Sequence, residues 1–369
     1  MKILQLGKFY PIRGGVEKVM YDLMTGLSAK GVECDMLCAA SDDDDVGEDR
    51  LNEYSRLICT RTLAKVKATM LSPAMISKLR SISRNYDIVH VHHPDPMACL
   101  ALYLSGYKGK VVLHWHSDII KQKKLLQLYR PLQHWLLKRA DVIVGTSPVY
   151  LKASPWLRKV QDKTVCLPIG VLPLEVDEKG AEKLRRKYKG KKIIFSLGRL
   201  VPYKGYKYLI DSARYLDDSY VVLIGGGGPL KSQLNEQIEA AGLGGKVKLM
   251  GYLTDQEVAA YFGACDIFCM SSVYATEAFG IVQIEAMSAG KPVVATKIPG
   301  SGVSWVNADK QSGINVEPED SEALADAFRR ILSNEDVYNA FSAQASQRYW
   351  TMFTKNLMID KCLEIYNNL

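Results

Sequence analysis

Residues 191–205, KKIIFSLGRLVPYKG, place a short apolar run before a glycine and two cations, and similar apolar runs recur along the second half of the chain. Five of them, YVVLIGG, KVKLMG, DIFCMSS, KPVVAT and GINVEP, begin at positions 220, 246, 266, 291 and 313 and are separated by longer amphipathic stretches. Aliphatic strands that alternate with helices predict a parallel sheet covered on both faces, with binding groups at the carboxyl ends of the strands. The second half is therefore predicted to be a doubly wound α/β domain.

The first half repeats this pattern in ILQLG, ECDMLCA, DIVHVHH, KVVLHWH and DVIVGTS, which begin at positions 3, 33, 87, 110 and 141. A chain of 369 residues suits two domains of about 150 to 200 residues each, and the proline-rich segment 166–178 has the composition of a linker. We expect an α/β protein with two doubly wound, Rossmann-like domains, 1–170 and 171–349, that face each other across a cleft. A C-terminal helix, 350–369, is expected to pack back on the first domain, with four candidate anchors: Trp350, Phe353, Met358 and Leu363.

Composition restricts the class of protein. Apolar residues make up 47% and charged residues 24% of the chain, which excludes disordered and fibrous proteins. The apolar run Met97 to Leu104 is much shorter than the ~18–20 residues that span a bilayer, and no signal-peptide pattern opens the sequence. The eight cysteines contain no CxxC pair, which argues against a zinc ribbon or a disulfide framework. We expect a cytoplasmic protein with reduced, mostly buried thiols.

The net charge of +8 is concentrated in the first half. Residues 1–170 carry 25 basic and 16 acidic side chains, which leaves 23 and 24 for the remainder. Basic residues alternate with apolar ones in KKLLQLYRPLQHWLLKR, residues 123–139, beside the cluster Lys121, Lys123 and Lys124. This pattern fits a solvated helix face or an amphipathic helix on anionic lipid headgroups. Because no nucleic-acid-binding motif accompanies it, we expect no nucleic-acid partner.

Two groups of residues in the first half are candidates for binding. Gly14 and Gly15 precede a helix predicted to begin near Val16, where backbone N–H groups favour an anion, although a Gly-Gly pair before a helix is more often a plain turn. All six histidines lie between residues 90 and 134, and five stand near two strand ends: His90, His92, His93, His114 and His116. We expect His116 to face the cleft and bond a substrate hydroxyl, and His90 and His114 to be satisfied structural residues. Metal binding is an alternative for this cluster, but no carboxylate or thiolate at ligand spacing accompanies it.

The second half carries a stronger set of candidates. Arg199 and Lys204 follow a strand and are able to reach one diphosphate, whose charge grows as a bond to it breaks; surface solvation is the alternative. The glycine run 225–228 permits a tight turn or a close backbone approach. In TEAFGIVQIEA, Glu277 precedes a helix predicted to start near Val282, and Glu285 lies about one turn inside it. Such a helix end can hold a phosphate while the two acids accept from sugar and ribose hydroxyls, although acids near a helix start also stabilise the helix itself.

Together these motifs resemble one family, the retaining, nucleotide-sugar-dependent glycosyltransferases of family 4 with the GT-B fold. The resemblance covers nearly the whole chain, through GGVE, HVHHPDP, HSDI, GRLVPYKG, GGGGPL, GYLTDQE and the pair of glutamates separated by seven residues. It implies that Arg199 and Lys204 neutralise the diphosphate, that Glu285 holds the nucleotide ribose and that Glu277 holds the transferred sugar. It further implies that His116 lies beside that sugar and that the backbone amides of five residues contact sugar or phosphate: Gly14, Gly15, Phe279, Gly280 and Ile281. The helix start at Val282 belongs to the same donor site, and Tyr252 is a candidate neighbour of the base.

The implied reaction transfers a hexose from a GDP-, UDP- or dTDP-sugar to an acceptor hydroxyl with retention, and it requires no metal and no cofactor. The basic first domain favours a lipid-linked saccharide acceptor at the cytoplasmic face of an anionic membrane, in O-antigen or capsule synthesis. Chains with a stretch like PGSGVSWVN, residues 299–307, often transfer mannose or rhamnose. Two alternatives remain open: a nucleotide-sugar epimerase or hydrolase, which would need an added acid–base pair, and a non-catalytic nucleotide- or polyanion-binding protein, which would not need the two glutamates.

Overall fold

The computed structural model describes residues 1–66, 69–119 and 123–369, with the backbone alone for 123–125. The side chains of the basic cluster Lys121, Lys123 and Lys124 therefore lie outside the described residues. The chain forms two compact units. The first joins Met1–Ile169 to Lys355–Leu369, and the second is Gly170–Thr354.

The N-terminal unit alternates strands and helices, as its apolar pattern predicts. Its strands are β1 (Lys2–Tyr10), β2 (Glu33–Ala40), β3 (Gly47–Asn52), β4 (Ser55–Thr60), β5 (Ala64–Val66), β6 (Thr69–Leu71), β7 (Ile88–His93), β8 (Lys110–Trp115), β9 (Val142–Gly145) and β10 (Thr164–Cys166). The helices between them are α1 (Gly15–Ala29), α2 (Pro73–Ile82), α3 (Pro96–Ser105), α4 (Lys123–Arg139) and α5 (Pro148–Ala153). Side chains cap two helix starts, since Asp95 accepts from two amides of α3 and Ser147 from one amide of α5.

Eight of these strands form one sheet in the order β10-β9-β8-β7-β1-β2-β4-β3. All neighbours are parallel apart from β3, which runs antiparallel to β4 at the edge. The central strands β7 and β8 are buried along nearly their whole length, as expected of parallel strands covered on both faces of the sheet. In this arrangement the segments that follow β1, β7 and β8 lie at the same edge of the sheet.

The second unit repeats this architecture with a smaller sheet. Its helices are α6 (Glu178–Lys187), α7 (Tyr206–Ser212), α8 (Lys231–Ala240), α9 (Asp255–Ala264), α10 (Ile281–Ser288), α11 (Val303–Val306), α12 (Ser321–Ile331) and α13 (Glu335–Met352). Its strands are β11 (Lys192–Leu197), β12 (Tyr220–Gly225), β13 (Val247–Gly251), β14 (Ile267–Met270), β15 (Val293–Thr296) and β16 (Gly313–Val316). All six are parallel, in the order β13-β12-β11-β14-β15-β16, so that β11 and β14 are neighbours. Both sheets therefore have the predicted doubly wound α/β architecture.

The last helix, α14 (Lys355–Asn367), returns to the N-terminal unit and packs on α1. The side chain of Ile359 fills the space that a Cβ at Gly26 would occupy, and Lys355 Nζ lies 2.8 Å from the buried carboxylate of Asp22. Two predicted anchors are wrong. Trp350 is 55% exposed, and Phe353 packs within the second unit against the rings of two neighbours, Phe279 and Trp305. The chain passes between the units at residue 354, four residues after the predicted helix start, because Phe353 is still held by the second unit.

Among the described residues, none of the helices combines the length and the apolar composition of a membrane-spanning segment. All eight cysteines are free, and all but Cys166 are buried.

Candidate functional site

An ion pair between Lys204 and Glu277 lies where two neighbouring strands of the second unit end. Lys204 follows β11, Glu277 follows β14, and their Nζ and Oε2 atoms are 2.5 Å apart. The two side chains keep 11% and 13% of their exposure, so the pair is largely shielded from water. Ser272 Oγ donates to the same carboxylate oxygen at 3.2 Å. The fold thus brings together a cation and an acid that are 73 positions apart in sequence.

The backbone beside Lys204 is held tightly against the end of β14. Gly205 has a positive φ of 65°, and a Cβ there would overlap the carbonyl oxygen of Ser271. The hydroxyl of Ser271 in turn donates to the carbonyl oxygen of Lys204 at 2.9 Å. Glycine at 205 is therefore required both by its conformation and by the close approach, and it determines where Lys204 lies.

Arg199 lies in the loop that follows β11, and its side chain is exposed. It makes no ion pair with any acid in the part of the chain that the structure describes. The glycine run 225–228 packs directly against this loop: a Cβ at Gly226 would overlap the carbonyl oxygen of Gly198, and one at Gly228 would lie 2.6 Å from that of Leu200. Of the two roles predicted for this run, the structure supports the close backbone approach, which here is to the Arg199 loop.

The helix α10 begins one residue earlier than predicted, at Ile281. Its N-cap, Gly280, has φ 80°, and a Cβ there would lie 2.6 Å from Met270 Sδ. No described side chain caps this end, and the N–H of Gln283 donates to the carbonyl of Gly280 at 3.0 Å. The N–H groups of Ile281 and Val282 are therefore the ones available at the positive end of the helix dipole. The preceding loop is fixed from its carbonyl side, since Gln283 Nε2 donates to the carbonyl of Phe279 at 3.1 Å. The result is a preformed, uncapped helix start close in sequence to Glu277.

The remaining donor candidates lie on the same unit. Glu285 is the fifth residue of α10 and is half-buried, about one turn inside the helix as predicted. Tyr252 directly follows β13 and is 84% exposed, which leaves its ring free to stack on a flat ligand.

In the N-terminal unit, Gly14 is the N-cap of α1, and the helix begins at Gly15 rather than Val16. Both glycines are exposed, and no described side chain caps this helix start. Gly14 has an extended backbone with φ −152°, a conformation open to any residue. A Cβ at this position would lie 2.6 Å from Oε2 of the buried Glu17, so the glycine leaves room for that carboxylate beside the helix start.

Four histidines line one face of the N-terminal sheet: His90 and His92 on β7, His114 on β8 and His116 one residue beyond it. All are at most 5% exposed. His92 Nδ1 lies 3.0 Å from His116 Nε2, and the rings of His114 and His116 stack with centroids 3.9 Å apart. Burial lowers the pKa of each of these imidazoles, that of His114 to about 3, so all four are neutral near pH 7.

The nitrogens of His90, His92 and His114 come within 4.8 Å of one another, which raises the possibility of a metal site. Both nitrogens of His92 are already engaged, one by His116 and the other by Gln5 Oε1 at 2.8 Å. The rings of His90 and His92 stack with their planes 13° apart, so their in-plane lone pairs run side by side instead of converging on one point. In this arrangement the rings of His90 and His92 are not oriented as ligands that converge on one metal at about 2.0–2.1 Å.

Comparisons with known proteins show which family the chain belongs to. Residues 178–348 match the family described as Glycosyl transferases group 1, and residues 13–171 match Glycosyltransferase Family 4. The chain is 32% identical to O-antigen chain mannosyltransferase C of Escherichia coli, over 100% of this chain and 99% of that protein. It belongs to the family 4-like glycosyltransferases.

One further relative and one solved structure are similar to this chain over nearly its whole length. The D-rhamnosyltransferase WbpZ of Pseudomonas aeruginosa is 29% identical over 96% of this chain and 92% of its own. The structure of Alr3699/HepE of Anabaena in complex with UDP superposes with a TM-score of 0.80 over the full length of both chains, at 20% identity. At that identity the likeness concerns the fold, which is the two-domain GT-B fold expected from the sequence motifs.

Within this glycosyltransferase, the sequence prediction for the inner histidines needs correction. His90 and His114 were expected to be satisfied, but Nε2 of His90 and both nitrogens of His114 have no partner among the described residues. Only His90 Nδ1 is bonded, to the hydroxyl of Tyr366 on α14. Both rings are stacked on neighbouring imidazoles, so their contacts are mainly between ring faces.

Sequence reasoning also missed a residue that contacts this cluster. Gln5 lies in β1, is fully buried and bonds to His92 and to Tyr366. A signal for it exists, since it is the single polar residue in the apolar run ILQLG. A buried amide in a strand must find partners, and this one finds them in the histidine cluster and the C-terminal helix.

Proposed function

We propose that this glycosyltransferase moves a hexose from a nucleoside diphosphate sugar to a hydroxyl of a lipid-linked saccharide, with retention of anomeric configuration, in the synthesis of a cell-surface polysaccharide. The observation that carries the proposal is the shielded pair of Lys204 and Glu277 at one sheet edge, with the uncapped start of α10 a few residues after Glu277. Such a grouping supplies a cation, an acid and a helix dipole at one place, which suits a sugar joined to a diphosphate.

In the donor-bound enzyme, Lys204 and the exposed Arg199 neutralise the diphosphate. Lys204 is then shared between Glu277 and the phosphate oxygens, and the free carboxylate oxygen of Glu277 accepts from a hydroxyl of the sugar. The amides of Phe279, Gly280 and Ile281, with the helix start through Val282, hold the sugar and the phosphate.

Further residues complete the donor site. Glu285 accepts from the ribose hydroxyls, and Tyr252 stacks beside the base. On the N-terminal unit, Gly14 and Gly15 offer amides to the donor, and His116 bonds the transferred sugar.

Catalysis in this proposal rests on stabilising the leaving diphosphate. Departure of the diphosphate leaves positive charge on the sugar, and the acceptor hydroxyl attacks from the same face while its proton passes to the leaving phosphate. Two cations and a helix start do the neutralising, so we propose that neither a metal nor a cofactor is needed.

The names of the relatives support mannose or rhamnose as the sugar and an O-antigen chain as the product, since two of them are an O-antigen mannosyltransferase and a D-rhamnosyltransferase. A phosphatidyl-myo-inositol mannosyltransferase of Mycobacterium leprae, 29% identical over 95% of this chain, supports a lipid-linked acceptor. The nucleotide of the donor stays open. The Anabaena structure contains UDP, and we therefore compare UDP-, GDP- and dTDP-sugars as donors.

The first experiment measures binding of UDP, GDP, dTDP and CMP and of their sugars by calorimetry, with and without EDTA. We expect one diphosphate to bind tightly in EDTA, whereas binding that requires metal would contradict the metal-independent mechanism. Turnover then separates the reaction classes: nucleoside diphosphate released only with an acceptor indicates a transferase, product without acceptor a hydrolase or epimerase, and no turnover a binding protein.

We further propose that the enzyme works at the cytoplasmic face of the inner membrane through its basic N-terminal unit. Leu128 on α4 is 81% exposed and Tyr103 on α3 is 51% exposed, as expected of side chains that enter a lipid headgroup region.

The test of membrane binding replaces Lys121, Lys123 and Lys124 by Glu and measures sedimentation with anionic vesicles at low salt. The matched control changes charge equally on the second unit through three exposed lysines, Lys179, Lys183 and Lys189. Loss of binding in the first variant alone supports the proposal, and equal loss in both would indicate a general charge effect.

A further inference from the structure

A chain of polar contacts runs from the C-terminal helix through β1 to His116, entirely within the N-terminal unit. Gln5 Nε2 lies 3.1 Å from the hydroxyl of Tyr366, and Gln5 Oε1 lies 2.8 Å from His92 Nε2. His92 Nδ1 lies 3.0 Å from His116 Nε2. Gln5 and His92 are fully buried, and His116 keeps 5% of its exposure, so water does not compete along the chain.

The orientation of the Gln5 amide follows from its three neighbours. With the nitrogen toward Tyr366 and Cys34, both N–H groups have acceptors, the hydroxyl at 3.1 Å and the Cys34 Sγ at 3.6 Å, while the oxygen accepts from His92. In the flipped orientation the nitrogen would face His92 alone, and one buried N–H would be left without a partner. That loss disfavours the flipped amide, because an unsatisfied buried donor is costly.

This orientation determines where the protons lie on the two imidazoles. Because Gln5 offers an oxygen, the proton of His92 is on Nε2, and its Nδ1 is an acceptor. His116 must therefore donate from Nε2, which leaves its Nδ1 without a proton. Burial lowers the pKa of both imidazoles, and the nearby Lys8 ammonium lowers it further. Each ring therefore carries a single proton at neutral pH.

We propose that Gln5, acting through His92, is a positioning residue that holds His116 in the Nε2–H tautomer, so that His116 presents an unprotonated Nδ1 to a hydroxyl of the transferred sugar. The inference rests on the proposed role of His116 beside that sugar. His116 is then an acceptor, which selects a sugar that carries a hydroxyl at this position over one that carries fluorine or a carbonyl there. Tyr366 anchors the amide, so the C-terminal helix contributes to sugar recognition without touching the sugar.

The direct test observes the tautomer by long-range ¹H–¹⁵N correlation on the full chain labelled at its six histidines, since protonated and unprotonated ring nitrogens differ in ¹⁵N shift. His116 is assigned from the spectrum of His116→Ala. We expect Nε2–H in the wild type and a shift toward Nδ1–H in Gln5→Leu, because His92 then loses the acceptor for its Nε2 proton. Cys34→Ala removes the acceptor of the second amide N–H, so both orientations of Gln5 then leave one N–H unpaired, and we expect both tautomers of His116 to be populated. An Nδ1–H His116 in the wild type overturns the proposal.

Kinetics supply an independent readout. Gln5→Leu should lower kcat/KM for the nucleotide sugar about three- to tenfold, the range that one neutral hydrogen bond carries, while affinity for the nucleoside diphosphate without sugar stays unchanged. In a His116→Ala background the same substitution should have no further effect, since the two residues act as a unit. Additive losses, or an equal loss of nucleoside diphosphate affinity, would mean that Gln5 acts structurally and would overturn the proposal.

Two further controls separate the possible failures. If Gln5→Leu does not fold, Tyr366→Phe tests the same chain, because it frees the amide to flip and is expected to populate both tautomers of His116. If the wild type turns over no nucleotide sugar, the proposed function fails, whereas the tautomer of His116 and its dependence on Gln5 are still decided by the spectrum.

Discussion

Replacing Lys204 by Met should separate two roles of one ion pair. The single variant leaves the Glu277 carboxylate, 13% exposed, with the weaker Ser272 hydroxyl as its described side-chain partner. Removing one partner of a shielded charged pair costs about 1–3 kcal/mol, since the remaining charge is poorly solvated. For a unit of this size, each kcal/mol lowers the melting temperature by about 2–4 °C. We therefore expect the second unit to melt about 2–12 °C lower. We also expect kcat to fall about 10²- to 10³-fold through loss of a phosphate contact.

The double variant Lys204→Met with Glu277→Gln makes the prediction sharp. Removing both charges takes away the unpaired carboxylate, so stability should return to within about 1 kcal/mol of the wild type. Activity should remain low, because neither the cation for the diphosphate nor the acid for the sugar is restored. Stability is measured by calorimetric unfolding, and activity by release of nucleoside diphosphate in the presence of acceptor.

Lys207→Met is the matched control, because it removes the same charge three positions away from an exposed side chain. It should change neither the melting temperature nor kcat appreciably. Wild-type turnover in Lys204→Met would refute the diphosphate role. A double variant that recovers activity together with stability would refute the separation of roles.

Three more predictions concern other parts of the site. Glu285→Ala should raise KM about tenfold or more with a smaller change in kcat, since it removes a charged acceptor for the ribose; equal affinities of variant and wild type for the nucleoside diphosphate in calorimetry would contradict this. Gly280→Ala should cost about 1–3 kcal/mol of stability and weaken donor binding, because its φ is 80° and the new Cβ would lie 2.6 Å from Met270 Sδ. In the control Gly290→Ala the φ is also positive, 68°, but the nearest neighbour of the new Cβ is Ser342 Oγ at 3.6 Å, so a similar loss in both variants would show that backbone strain alone is responsible. Burial lowers the pKa of these histidines in the folded state, so the unfolded chain binds protons more readily and stability should fall as pH drops below about 6.5. His114, with a pKa of about 3, contributes up to about 2 kcal/mol of this loss by pH 5. His114→Leu should remove that share in unfolding measurements, and an unchanged pH dependence would argue against a neutral, buried His114.

Much of the architecture follows from local sequence patterns. The apolar runs correspond to strands of two parallel sheets, because a strand buried on both faces must be apolar throughout. Parallel strands place their carboxyl ends at one edge, where binding groups were expected. Lys204 and Glu277 follow two such strands and are in contact in the structure, although the sequence did not predict this pair. Glu285 was likewise predicted one turn inside α10 from its spacing alone.

Other features depend on contacts that no local pattern encodes. Gln5 and Tyr366 are 361 positions apart, and their bond exists because α14 packs on the N-terminal unit. The same return of the chain leaves Phe353 in the second unit, where the ring contacts of Phe279 hold it, and leaves Trp350 exposed. Periodicity specifies which face of a helix is apolar but not which unit that face meets, since the latter depends on the packing of the whole chain. Local sequence patterns were thus enough to predict the two sheets and the residues at their strand ends. The side chains that complete the environment of His116 come from distant parts of the chain, and only the packing of the folded chain brings them together.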